Sequence, residues 1–163
     1  MHTVIGGFLL LAVSKTQPRT PKEITAEMGA LMLPYEHFIS ESALFETLRK
    51  EFNNVLIKNV GAEVLGKKYI LKDAGVKQLD AIAKSFLKPK HDITFTELKF
   101  VVEWMRTFGP RPLRGEIERA RRKMKALERR LEAGDPRSAL FPQRYLEITE
   151  DYFKYLDMHC EYS

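Results

Sequence analysis

Ten consecutive residues near the start of the chain, Val-Ile-Gly-Gly-Phe-Leu-Leu-Leu-Ala-Val at positions 4–13, carry no polar side chain. A helix that is apolar on every side has no solvent face, so it must be surrounded by protein or by lipid. The run is about half of the ~20 residues that a membrane span needs. Ahead of it, Met1, His2 and Thr3 supply none of the Lys or Arg that opens a secretory leader. It is therefore read as a buried first helix of a cytoplasmic protein, and no membrane is expected among the partners.

Such a helix needs a core around it. The 163 residues, 44% hydrophobic and 30% charged, suffice for one domain or two small ones. One thiol, Cys160, cannot form an internal disulfide, and His2, His37, His91 and His159 lack the paired spacing of a zinc site, so no metal and no cofactor is expected. Nothing resembles a catalytic set, since no histidine has a Ser, Cys or carboxylate at a telling spacing; the chain is not read as an enzyme. The 27 Lys and Arg against 22 Asp and Glu give a net charge of +5, which favours a polyanionic partner.

Thr20-Pro21-Lys22-Glu23 sets a capping hydroxyl, a proline at the first helical position and an acid that reaches back to the cap. The helix it opens is predicted to be short, with Ile24 and Met28 inward and Gly29 as terminator before Pro34. Ser40 or Ser42 caps a third predicted helix over 41–52, whose core stripe is Ala43, Leu44, Leu48 and Phe52. The period then changes. Val55-Leu56-Ile57-Lys58 and Lys68-Tyr69-Ile70-Leu71 read as an antiparallel hairpin with residues 59–67 as its tip. Asp73 is expected to cap a further helix with Val76, Leu79, Ile82, Ala83 and Phe86 at core spacing, broken at Lys88-Pro89-Lys90. Helix, helix, helix, hairpin, helix is the order of a winged helix-turn-helix.

Beyond residue 91 three more helices are predicted. Phe95, Leu98, Val102 and Met105 mark the first, and Gly109-Pro110-Arg111-Pro112 closes it. The second carries Leu113, Ile117, Ala120, Met124, Leu127 and Leu131 at alternating gaps of four and three, a heptad seam read as a dimerisation face. The third sets Tyr145, Ile148, Tyr152, Tyr155 and Leu156 on one side. Residues 111–130 hold nine Lys and Arg against three acids, whereas residues 145–163 hold one Lys against five acids. The two ends should attract, within one chain or between two; the basic helix could alternatively lie along nucleic acid. Trp104, Phe108, Tyr145, Tyr152 and Phe153 form an aromatic group read as core rather than as a ligand pocket. The expected fold is mainly α with a small β-hairpin wing: a winged helix-turn-helix over 1–88 and a helical dimerisation region over 91–163.

Ala43-Leu44-Phe45-Glu46-Thr47-Leu48-Arg49-Lys50-Glu51-Phe52, followed by Val55-Leu56-Ile57, resembles the recognition helix and first wing strand of PadR-like transcriptional regulators. Lys67-Lys68-Tyr69-Ile70-Leu71-Lys72-Asp73-Ala74-Gly75 resembles the second wing strand and the turn into the next helix, a pattern shared with MarR-type relatives. The resemblance covers about residues 1–87. It departs from the PadR pattern at Glu46, where proline is usual, at Lys72, where threonine is usual, and in a second helix without the Gly-Tyr pair.

On the outward side of the 41–52 helix, Arg49 and Lys50 suit phosphate or guanine edges, and Ser42 and Asn53 suit base or sugar contacts. Glu46 would accept from cytosine amino groups or repel phosphate. Lys58, Lys67 and Lys68 surround the hairpin, where a wing along the backbone needs cations, and Thr20 and Lys22 open the second helix beside them. Residues 61–68 match a phosphate-binding loop until Lys68 replaces its Ser or Thr, and a strand rather than a helix follows. The expected function is sequence-specific binding of double-stranded DNA as a homodimeric regulator, a repressor. A winged-helix module that scaffolds a complex without reading DNA is the competing reading, and a small-molecule effector is compatible with the first.

Overall fold

The computed structural model describes residues 2–13, 15–32, 62–65, 68–108, 114–133 and 143–159. They are mainly helical: α1 (His2–Ala12), α2 (Pro21–Met32), β1 (Ala62–Leu65), β2 (Lys68–Leu71), α3 (Asp73–Phe86), α4 (Phe95–Phe108), α5 (Arg114–Glu132) and α6 (Gln143–His159). The chain divides into two compact units, Met1–Ile82 and Ala83–Ser163. The 41–52 helix and strand 55–58 lie outside the described residues.

In the first unit every residue from 4 to 13 is buried, as the all-round apolar run requires. Phe8, Leu9 and Leu10 have no exposure at all. Burial of each such side chain contributes roughly 1.5–3 kcal/mol, enough to offset the ~1 kcal/mol that each of Gly6 and Gly7 costs inside a helix. The helix stops where Val13 N shares its hydrogen bond between the Leu9 and Leu10 carbonyls, 3.2 Å each. Arg19 Nη1 then donates to Ala12 O at 2.7 Å, a cation at the negative end of the dipole.

Helix α2 packs on α1 through Ile24 and Met28, the two inward residues expected. Its length corrects the reading of Gly29 as terminator. The helix runs through Gly29 to Met32, because one glycine weakens a helix by only ~1 kcal/mol, whereas Pro34 disfavours helical backbone in the residue before it.

The strand that pairs with β2 is Ala62–Leu65, inside the segment read as the hairpin tip, rather than 55–58. Ala62 stands opposite Leu71 and Leu65 opposite Lys68 in antiparallel register. On its other side β2 meets the segment ahead of α2. Arg19 N donates to Tyr69 O (2.9 Å) and Tyr69 N to Arg19 O (2.8 Å), an antiparallel bridge. Helix α3 is capped by Lys72, whose carbonyl accepts from Val76 N at 3.0 Å, and Asp73 sits in the first turn instead of at the cap. Its stripe Leu79, Ala83 and Phe86 is buried, with Val76 and Ile82 half-buried.

In the second unit α4, α5 and α6 pack pairwise. Thr94 opens α4 with a capping box that the sequence reading passed over: Thr94 N donates to Glu97 Oε1 (2.9 Å) and Glu97 N to Thr94 Oγ1 (3.1 Å). The same Glu97 oxygen lies 2.9 Å from His91 Nε2, and His91 stacks on Phe86. Helix α4 buries far more than the stripe Phe95, Leu98, Val102 and Met105. Phe100, Val101 and Trp104 are also buried, as are Lys99 and Glu103. The two charges answer each other: Lys99 Nζ donates to Glu103 Oε1 (2.8 Å) and to the Tyr152 hydroxyl (3.1 Å), and Arg106 Nε to Glu103 Oε2 (3.1 Å).

Ile117, Ala120, Met124 and Leu127 are buried within this single chain. The seam read as a dimerisation face is thus an intrachain packing face, because α4 and α6 already cover it; Leu113 lies outside the described residues, as does the Leu131 side chain. The opposed charges of α5 and α6 also meet inside the chain, where Arg121 pairs with Asp157 and lies over the Phe153 ring. Trp104 and Phe153 are core, as expected of the aromatic group. No helix among the described residues is long and apolar enough to cross a membrane.

Candidate nucleic-acid interface

The Arg19–Tyr69 bridge brings together two stretches that the sequence marked separately, the start of α2 and the β2 strand. Around that junction stand Arg19, the exposed Lys22 and the exposed Lys68, three cations against the carboxylate of Glu23. Both the Lys68 and the Arg19 charge act on Glu23. Arg19 was missed in the sequence. Its signal was a cation directly ahead of a capping box, the position from which a side chain can reach the end of the preceding helix.

Thr20 is the cap residue expected. Its backbone N donates to Glu23 Oε1 at 3.1 Å, its hydroxyl donates to the same oxygen at 2.9 Å, and Glu23 N donates back to the hydroxyl at 3.3 Å. Thr20 thus shapes the start of α2. Lys22 and Lys68 remain accessible, and α2 presents an N-terminus whose dipole favours anions. Ser42, Glu46, Arg49, Lys50, Asn53, Lys58 and Lys67 lie outside the described residues. The resemblance to a phosphate-binding loop ends in β1 and β2, with no helix N-terminus after Lys68.

The hydrogen bonds from the Thr20 backbone and hydroxyl hold the Glu23 carboxyl below the ordinary glutamate range. A depressed folded-state value means that Glu23 stabilises the fold above the unfolded value, about 4.3, and that this contribution is lost as pH falls through the folded value. Glu23→Gln is therefore expected to destabilise at neutral pH and to converge on the parent protein in acid. Urea melts across the acid range check it; a constant gap between the two would remove the carboxylate from the cap.

In the second unit the outward side of α5 carries Arg119, Arg122, Lys125 and Arg129, all exposed and spaced by three or four residues. This side of the basic helix stays open while its seam is covered. Compared with known protein families, with curated proteins and with solved structures, the chain matches none.

Proposed function

We propose that residues 1–88 form a winged helix-turn-helix that binds double-stranded DNA, and that the protein is a sequence-specific transcriptional regulator of PadR-like type, a repressor that occupies its promoter. The observation that carries this reading is the backbone bridge from Arg19 to Tyr69. It ties the turn-proximal half of a two-stranded hairpin, at Tyr69 opposite Val64, to the start of α2, so that Lys68 and Lys22 flank one junction. A hairpin anchored there is suited to lie along phosphates while a neighbouring helix reads bases. Between Met32 and Ala62 stand 29 residues, room for the 41–52 helix that carries Arg49 and Lys50.

Fluorescence anisotropy on a selected duplex and a scrambled one, across a salt series, tests the proposal. Lys22→Ala and Lys68→Ala should weaken both duplexes equally and each lower the salt slope by about one, as loss of a single phosphate contact does. Arg49→Ala should cost about 1–3 kcal/mol on the selected duplex alone. If no duplex binds in a saturable, salt-dependent way, the protein-scaffold reading takes its place.

Two-fold assembly belongs to the same proposal, because a lone winged helix spans few base pairs and paired half-sites double the site. Its contact has to come from a surface other than the buried α5 seam. Ile148, Tyr155 and Met158, spaced by seven and three along α6, are the exposed large apolar residues among those described. Ile148→Glu with Met158→Glu should convert a dimer to a monomer of unchanged helicity in sedimentation. A parent protein that sediments as a monomer would end the argument for palindromic DNA.

A further inference from the structure

Between α5 and residues 87–93 of the second unit lies a cavity of about 290 Å3. Its polar wall is cationic: Arg119, Arg122, Lys123 and Arg130, at i, i+3, i+4 and i+11 of one helix, face it, with Asp92 the only acid among the described residues that line it. Leu87, Ile93 and Ala126 give it an apolar side.

Two of the four cations build the wall. Lys123 Nζ donates to the carbonyls of Lys88 and His91, and Arg130 Nη2 to that of Ile93 at 2.6 Å, so they fasten the loop to the helix. Carbonyl oxygens satisfy donors without cancelling charge. Burial therefore holds Lys123 below the ordinary lysine range, with Asp92 opposing and Arg130 adding to the depression. The Arg130 Nε is closed off from solvent and has no hydrogen-bond acceptor among the described residues, an unfavourable state for a buried donor. The other two cations stand at the mouth. Arg119 lies 3.7 Å from Glu116, and Arg122 has no ion-pair partner among the described residues.

We propose that this cavity binds a small organic oxyanion, a carboxylate or phosphate head on a compact apolar body. The head group would meet Arg119 and Arg122 and balance the excess charge around Lys123, while the body would rest on Leu87, Ile93 and Ala126. The volume is at the small end of ligand pockets, which suits a single ring and its anionic substituent. The site is independent of DNA binding by the first unit, so either assignment can fail alone.

Chemical-shift titration of the full chain at about 0.15 M ionic strength, where exposed charges are screened beyond roughly 8 Å, tests the site with phenyl phosphate, phenylacetate and neutral benzyl alcohol. One or both anions should shift the amides of Asp92, Ile93 and Lys123 in a saturable way, and the stronger of the two identifies the head group. Benzyl alcohol should bind at least about tenfold more weakly, the effect of one charge-assisted hydrogen bond. Arg119→Gln and Arg122→Gln should each weaken the anion by about tenfold, whereas Arg129→Gln, exposed on the same helix but outside the cavity, should change it less than about twofold. Equal losses in all three variants, or no saturable shift with either anion, would overturn the proposal. So would displacement of phenyl phosphate by a short duplex whose own affinity falls in Arg122→Gln, since that assigns the cations to a nucleic-acid backbone.

Discussion

Replacing Glu103 with glutamine is expected to destabilise the Ala83–Ser163 unit by about 3–5 kcal/mol, the usual consequence of removing one member of a buried ion pair. The Glu103 side chain is 2% exposed and that of Lys99 10%, so solvent screens little of their interaction. Glutamine keeps the shape but leaves the Lys99 ammonium buried beside a neutral amide, with the Tyr152 hydroxyl as its other acceptor. In a unit of this size such a loss lowers the melting temperature by at least about 15 °C. Lys99→Met should also destabilise, since Glu103 would retain only the half-exposed Arg106. The double variant Lys99→Met, Glu103→Leu should recover most of the loss, because an apolar pair of similar volume avoids desolvating either charge. A double-mutant cycle by urea unfolding measures this. Additive effects, or single substitutions costing under about 1 kcal/mol, would show that the pair is solvated and that α4 is less enclosed than described.

The Lys99–Glu103 pair leaves no local trace of its burial in the sequence. Lysine and glutamate four residues apart on a helix usually mark its solvent side. On α4 that side faces Tyr152 of α6, 53 residues beyond Lys99, and no local pattern carries that information. The same limit explains Phe100 and Val101, which a single amphipathic stripe left outside and which are buried because α4 is covered on more than one side. Features confined to a few residues were legible. Thr20 and Glu23 form their reciprocal cap because every participant lies within four positions, and Thr94 with Glu97 could have been found by the same spacing.

Strand pairing shows the intermediate case. Val55-Leu56-Ile57 is richer in strand formers than Ala62-Glu63-Val64-Leu65, yet the latter pairs with β2. Propensity identifies segments that tolerate extended backbone, whereas a hairpin selects the segment that a short connection can fold back in register. Of the interface, the cations Lys22 and Lys68 were legible from charge alone. Their common junction was not, because it rests on two backbone hydrogen bonds between Arg19 and Tyr69, and backbone groups leave no trace in composition.

The heptad on α5 gives the last and most decisive expectation. A period of alternating threes and fours shows that one side of a helix must be covered, and it is silent on whether the cover comes from the same chain. Here α4 and α6 supply it, and Ile117, Ala120, Met124 and Leu127 are all nearly inaccessible. Ile117→Asn and Leu127→Asn should each cost about 4 kcal/mol or more, from the lost apolar burial, the imperfect fit and an amide without hydrogen-bond partners. The second unit should then lose its cooperative unfolding transition, visible as reduced helicity by circular dichroism. Lys125→Gln, exposed on the same helix, should change stability by less than about 0.5 kcal/mol. A dimer face behaves otherwise: polar substitutions there would leave helicity intact and halve the mass in light scattering. That outcome would return the seam to the role its spacing first suggested and place the two-fold axis of a DNA-binding dimer on α5 instead of on the exposed apolar side of α6.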